Sequence, residues 1–241
     1  MTISVIIPAY NEEKYIADTI IYIKQAIEYL NKNSNQSVEL LVIDNGSTDQ
    51  TVNIAQNLGA RVISEPIHII SKVRNTGANA ANGNLLIFID ADTIIPEPLL
   101  WYINQKISDP KCIAGAVDID YRPKRLLIKI YLQFWRLIGN ITGMAQGATQ
   151  FCQRDVYKIV GGYDERLYMG EDVDFYWRLK QFSKKEDLEV CLIKEHRVIP
   201  SCRRFDQWPL WKTLVWTNPI FISLLRRWKG VWNGWYKIPP R

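Results

Sequence analysis

Three short runs, ISVIIP (3–8), VELLVID (38–44) and LLIFIDAD (85–92), are apolar at successive positions instead of alternate ones. Strands built from such runs bury both faces. Between them lie stretches with helical periodicity. In EEKYIADTIIYIKQAIEYL (12–30), Ile16, Ile20, Ile23 and Ile27 recur at helical spacing. STDQTVNIAQNLG predicts a helix with Ser47 near its N-cap and Gly59 as its stop. ARVIS (60–64) is a short strand, and 71–83 is a helix rich in small residues whose Gly77, Ala78, Ala80 and Ala81 permit close helix–sheet packing. Strand and helix in alternation, with strands apolar on both sides, confine the chain to an α/β architecture. The sheet is mostly parallel, Rossmann-like and sandwiched by helices.

Beyond residue 92 the pattern loosens. It predicts a helix over 97–108, a strand over 112–120 and an amphipathic helix over 124–138. A loop, GMAQGA (143–148), precedes a strand TQFCQ; a helix over 171–182 and a strand-rich run over 188–201 follow. The tail differs in kind. It carries Trp208, Trp211, Trp216, Trp228, Trp232 and Trp235 among Arg and Lys residues, Lys237 and Arg241 included, with only Asp206 against them. One of its helices is well signalled, with Asn218 as N-cap, Pro219 at the first position and Gly230 as the stop.

Polar residues gather where the strands end. Pro8-Ala9-Tyr10-Asn11-Glu12 follows the first strand, Asp44-Asn45-Gly46-Ser47 the second, and Asp90-Ala91-Asp92 the strand at 85. In an open parallel sheet, ligands bind outside the carboxyl ends of the strands. Neighbouring strands would gather the three clusters into one crevice. Two carboxylates in D-x-D spacing suit Mg2+ or Mn2+, hard cations that take further ligands from substrate phosphates. Asp92 would face the metal, and Asp90 a ribose hydroxyl or a metal-bound water.

The ordered set SVIIPAYNE, VIDNGSTDQT, RNTGANAANG, FIDADT and GEDVDFYWRL resembles glycosyltransferase family 2, with its GT-A fold, over roughly residues 2–200. The resemblance implies an inverting transfer of sugar from a nucleoside diphosphate, UDP- or GDP-linked, to an acceptor hydroxyl. It implies that Pro8, Ala9, Tyr10, Glu12, Asp44 and Asn45 line the nucleotide pocket, Asp44 reading the base. Asp90, Ala91 and Asp92 would hold metal and diphosphate, with Asp90 and Asp92 as the ligands. Asp172 would be the catalytic base. Glu171 would contact the acceptor or support the site; capping of the helix by these two acids is the competing explanation. Arg74 would reach the diphosphate or brace the aspartates, with a plain surface role equally open. Arg203, in Ser201-Cys202-Arg203-Arg204, would clamp the diphosphate or sit in a basic surface turn. His196 is a weak candidate for a third metal ligand. The resemblance divides the chain into a catalytic domain over 1–205, with a nucleotide-binding half (1–95) and an acceptor-binding half (96–205), and a helical tail over 206–241.

Two rivals stay open. DADT also fits a haloacid-dehalogenase-type phosphatase, and a non-catalytic member could bind nucleotide sugar as a scaffold. The four cysteines, Cys112, Cys152, Cys191 and Cys202, form no framework, and no uncharged apolar run approaches the ~20 residues that span a bilayer. A cytoplasmic location is expected, with the cytoplasmic face of a membrane as the alternative. The aromatic, basic tail fits a membrane interface, the acceptor groove or the core. No nucleic-acid-binding motif accompanies its charge.

Overall fold

The computed structural model describes residues 2–232, apart from Gly143 and Gln146. Trp235, Lys237 and Arg241, and part of the predicted GMAQGA loop, lie outside the described residues.

Strands β1 (Thr2–Ala9), β2 (Ser37–Asp44), β3 (Arg61–Ser64) and β4 (Leu85–Ile89) run parallel, adjacent in the order β3-β2-β1-β4. The first half is therefore the α/β unit the sequence pattern predicts. In β1, Ile3, Val5 and Ile7 face one helix layer and Ile6 the other; β4 divides Leu85, Ile87 and Ile89 from Leu86 and Phe88 in the same way. Helices α1 (Ile16–Asn33) and α2 (Thr51–Asn57) cover the first face, and α3 (Ile70–Ala80) the second. A Cβ on Gly77 would overlap Ile6 and come within 2.9 Å of Ile43. The small residues of α3 thus let it lie close on the sheet.

The second half adds β5 (Thr93–Ile94), α4 (Leu99–Ser108), β6 (Cys112–Ile119), α5 (Leu126–Thr142), β7 (Thr149–Gln153), α6 (Arg154–Ile159), α7 (Glu171–Lys185) and β8 (Glu189–Pro200). Strand β7 enters antiparallel between β4 and β6, β8 runs parallel to β6, and β5 closes that edge antiparallel to β8. Helices α8 (Arg203–Gln207), α9 (Leu210–Trp216) and α10 (Pro219–Leu225) follow. Among the described residues no helix is long and apolar enough to cross a membrane.

Beyond shifts of a few residues at helix ends, three features differ from the sequence reading. Ser47 does not cap α2: Asp49 Oδ1 accepts from the first helical N–H, Thr51 N, at 3.0 Å, while Ser47 Oγ accepts from Asn11 N at 2.9 Å. The strand at 85 stops at Ile89, so both aspartates of DADT stand on a turn. Asn218 caps α10 as read, accepting from Ile220 N at 2.9 Å, but Gly230 is not its stop. The helix ends at Leu225, and 229–232 are helical again.

The tail folds partly onto itself. Trp208, Trp216, Trp232 and Phe221 meet edge to face, with Trp232 fully buried. Lys212 lies over the rings of both Trp208 and Trp216.

Candidate active site

Because β2, β1 and β4 are neighbours, their C-terminal ends meet at one place. The loops there are stitched together. Asn11 adopts a left-handed backbone (φ 53°), and its Oδ1 accepts from Thr48 N at 2.8 Å. Asn tolerates that conformation better than most residues. Glu12 N donates to Thr51 Oγ1 at 2.7 Å. A cavity of about 910 Å3 opens beside these loops; Pro8, Ala9, Tyr10, Glu12, Asn45, Arg74, Asp90, Ala91, Asp92, Glu171, Asp172 and Arg203 all line it.

Asp44 is the exception among the predicted residues. It is buried, and its carboxylate accepts from Gly46 N at 3.2 Å and Ser47 N at 3.1 Å. It shapes its own turn and is not among the lining residues. Asn45 braces the next loop through Glu65 O and Ile67 O, and its Oδ1 meets His68 Nδ1 at 3.2 Å. Tyr10 packs edge-on against His68, so an aromatic wall stands at this end.

The aspartate turn is held from three sides. Asp90 N donates to Ala148 O at 3.1 Å, Ser201 N donates to Asp92 O at 2.9 Å, and Thr19 Oγ1 donates to Ala91 O at 2.8 Å. Arg74, 4% exposed, donates to Asp90 Oδ1 at 2.8 Å and to Glu171. It therefore joins the aspartate turn to the first turn of α7. Arg203 forks onto both oxygens of Glu12 and lies 3.3 Å from Asp92 Oδ2. Both arginines act as struts between carboxylates.

Asp172 stands in the first turn of α7, where Oδ2 accepts from Gly147 N at 2.7 Å. Ala148, the next residue, holds Asp90. One short segment before β7 thus fixes Asp90 and Asp172 together. A Cβ on Gly147 would overlap Asp172, so no larger residue fits there without movement. Glu171 is buried and faces Arg74, in a bracing position.

The electrostatics of the floor are unbalanced. Around the aspartate turn Glu12, Asp90, Asp92, Glu171 and Asp172 outnumber Arg74, Arg203 and Arg204; over the whole cavity lining seven acids face six arginines. Burial pushes Asp90 and Asp92 each up to about 6, against the pull of Arg74 on Asp90 and Arg203 on Asp92. Asp92 adds to the rise at Asp90, and Glu12 to that at Asp92. Burial and Arg203 bring Arg204 down to about 10. A divalent cation matches this floor in charge and in oxygen donors. Among the described residues no group of three or more His, Cys, Asp or Glu side chains could hold a metal. The fit is therefore to a cation held by two carboxylates, which completes its sphere with water and ligand oxygens.

His196 does not join the site: its ring packs edge-on against Tyr102 of α4, and it is absent from the cavity lining. The phosphatase reading, which needs its aspartate pair near the start of the fold, is not favoured. Asp90 follows the fourth strand, and Arg74 and the Ala148 carbonyl hold it. The sequence reading also passed over Asp118, a buried acid on β6 that takes Arg136 at Oδ1 (3.1 Å) and Arg197 at Oδ2 (3.1 Å). Asp118, Arg136, Tyr121 and Trp135 line the half of the cavity away from β1 and β2. Burial raises the Tyr121 phenol far above its usual range.

The sequence model described as glycosyl transferase family 2 matches residues 4–158. A glucosyl-3-phosphoglycerate synthase of Mycobacterium tuberculosis is 37% identical over 106 residues, which are 41% of this chain and 31% of that protein. A dolichyl-phosphate beta-glucosyltransferase of Mus musculus is 29% identical over 119 residues, 44% of this chain and 36% of that protein. The match thus spans about a third of the length of these curated relatives. Among solved structures, a mannosyltransferase from Pyrobaculum calidifontis in complex with GDP-Man and Mn2+ superposes with a TM-score of 0.63 at 19% identity, covering 82% of this chain and 56% of that one. The M. tuberculosis synthase in complex with Mn2+, UDP and glucosyl-3-phosphoglycerate gives 0.60 at 22% identity, covering 94% and 79%. These likenesses identify the GT-A fold.

Proposed function

Because the chain belongs to glycosyl transferase family 2, we propose that it moves a sugar from a nucleoside diphosphate to an acceptor hydroxyl with inversion. The observation that carries this is the shared anchorage of Asp90 and Asp172 on residues 147–148, on one cavity wall. Residues 1–95 form the donor half, 96–205 the acceptor half, and 206–241 a tail whose start lies beside α5. Pro8, Ala9, Tyr10, Glu12 and Asn45 hold the nucleotide, with Asp44 shaping the loop behind them. Asp92 and Asp90 would hold Mn2+ or Mg2+, as the Mn2+ complexes of the solved relatives support. When bound, that cation supplies charge stabilisation to the departing diphosphate.

The rest is done by side chains. The acceptor oxygen bonds to the anomeric carbon from the face opposite the diphosphate. The carbon–phosphate oxygen bond breaks, and the nucleoside diphosphate leaves with the electron pair. The acceptor proton passes to the Asp172 carboxylate. Gly147 N–H holds that carboxylate in place, and Arg74 fixes its distance from Asp90 through Glu171. One displacement with one base inverts the anomeric centre.

Thermal shift with UDP-, GDP- and dTDP-sugars, with and without Mn2+, tests the donor step, because a ligand of the native state raises the midpoint by mass action. Asp92→Ala is expected to abolish the metal-dependent part of the shift. Asp172→Asn is expected to keep the shift and to lower transfer by about 10^2–10^4-fold. A metal-dependent shift that persists in Asp92→Ala, or full turnover in Asp172→Asn, would overturn the respective assignment.

A further inference from the structure

Helix α5 (Leu126–Thr142) has two unlike faces. Ile128 is buried, and Tyr131, Leu132, Trp135 and Arg136 line the cavity. On the other side Leu126, Leu127, Ile130, Phe134 and Leu137 are each more than half exposed. At the helical repeat these five fall within one arc of about 100°. The stripe is therefore a continuous apolar strip along about three turns, not scattered surface leucines.

Helix α9 extends it. Tyr131 Oη donates to Leu214 O at 3.4 Å, and Arg125 Nη1 donates to Trp208 O at 2.7 Å, so α5 and the start of the tail lie side by side. From α9, Trp211, Leu214 and Val215 are also exposed. Contiguous apolar surface of this kind marks a site of interaction.

Charge decides the occupant. From Tyr121 to Gln153 the chain has five basic residues and no acid; Arg122 and Arg136 pair with Asp120 and Asp118, which leaves Lys124, Arg125 and Lys129 for the outer surface. Lys124, Arg125 and Lys129 are exposed at the start of α5 and in its first turn. A second copy docked on the same face by two-fold symmetry would set these cations against one another. An anionic lipid surface satisfies both features, taking the apolar strip at the acyl boundary and the cations at the headgroups.

We propose that α5 and α9 form an interfacial docking face that lies on an anionic lipid bilayer, holding the cavity about one helix diameter, ~10 Å, from the headgroups. The sequence offered membrane contact as one of three roles for the Trp-rich tail. In the fold α5 adds five exposed apolar residues to those of the tail, where Trp208, Trp216 and Trp232 face one another. This inference needs only the surface and does not depend on the donor reading.

Flotation with vesicles of phosphatidylcholine alone, and of phosphatidylcholine mixed with phosphatidylglycerol, tests it. The parent protein is expected to float with the mixed vesicles and to stay behind with the neutral ones. Leu127→Glu/Phe134→Glu should lower the bound fraction at least about tenfold, and Lys124→Glu/Lys129→Glu about tenfold on mixed vesicles. Phe134→Leu should float like the parent. Each variant should keep the parent's melting temperature and its nucleotide-sugar thermal shift, since none of these side chains lines the cavity. Three results would overturn the proposal. One is a parent that floats with neither vesicle. Another is a Leu127→Glu/Phe134→Glu variant that floats like the parent. The last is a parent dimer that this same variant dissolves, which would assign the face to a second copy.

Discussion

Arg74 stands between two acids on different elements, Asp90 after β4 and Glu171 at the start of α7. One guanidinium cannot neutralise both. Burial, and Asp172 next door, push Glu171 up from 4.5 to about 7. The sign follows. The folded chain holds this proton at a pH where the unfolded chain has released it. The contribution to stability is full below about 4.5 and is lost as pH rises through about 7. The melting temperature of the metal-free protein is therefore expected to fall across that window, with a shallower slope in Glu171→Gln. An equal slope in that variant would contradict the assignment. Arg74→Ala leaves two facing carboxylates without their cation and should cost about 3–5 kcal/mol, read by urea unfolding at neutral pH. Arg74→Lys should recover only part of this, because an ammonium lacks the fork that reaches both partners. At this scale the sequence was legible where a residue's chemistry and its neighbours in the chain agree. Asp90 and Asp92 declare themselves as two acids after an apolar strand. Asp118 with Arg136 and Arg197 does not, because the three residues come from three elements that only the fold brings together.

Elements fix the site through single close approaches. Gly147 gives Asp172 its hydrogen bond and leaves no room for a Cβ. Gly147→Ala is expected to displace Asp172 and lower kcat about 10^2-fold with nucleotide affinity unchanged. Equal loss in kcat and in nucleotide affinity would point to collapse of the whole pocket. Gly77→Ala probes the same device in the core, since the added methyl meets Ile6; overpacking there should cost about 1–3 kcal/mol with no selective effect on turnover. The long elements were readable because periodicity accumulates over several turns, as in α1, α4 and α7. The two-residue β5 and the short α6 and α8 carry no such signal. The direction of β7 was not readable either, because TQFCQ reads the same whichever way it pairs; its partners β4 and β6 decide.

The molecule as a whole is a sheet whose parallel half gathers loops at one end and whose mixed half carries the opposite wall of the cavity. The alternation of strand and helix made the first half legible. The second half depends on strand insertion out of sequence order, and on a tail whose tryptophans bury against one another as well as facing outward. The central claim is that the two aspartates on the turn after β4 anchor a cation under the diphosphate of a sugar nucleotide. Anomalous diffraction from a crystal grown with Mn2+ and UDP tests it directly. A manganese peak within coordination distance of Asp92 or Asp90 and of the diphosphate oxygens is the predicted result. Nucleotide bound in the cavity with manganese absent from that turn, or seated elsewhere, would contradict it.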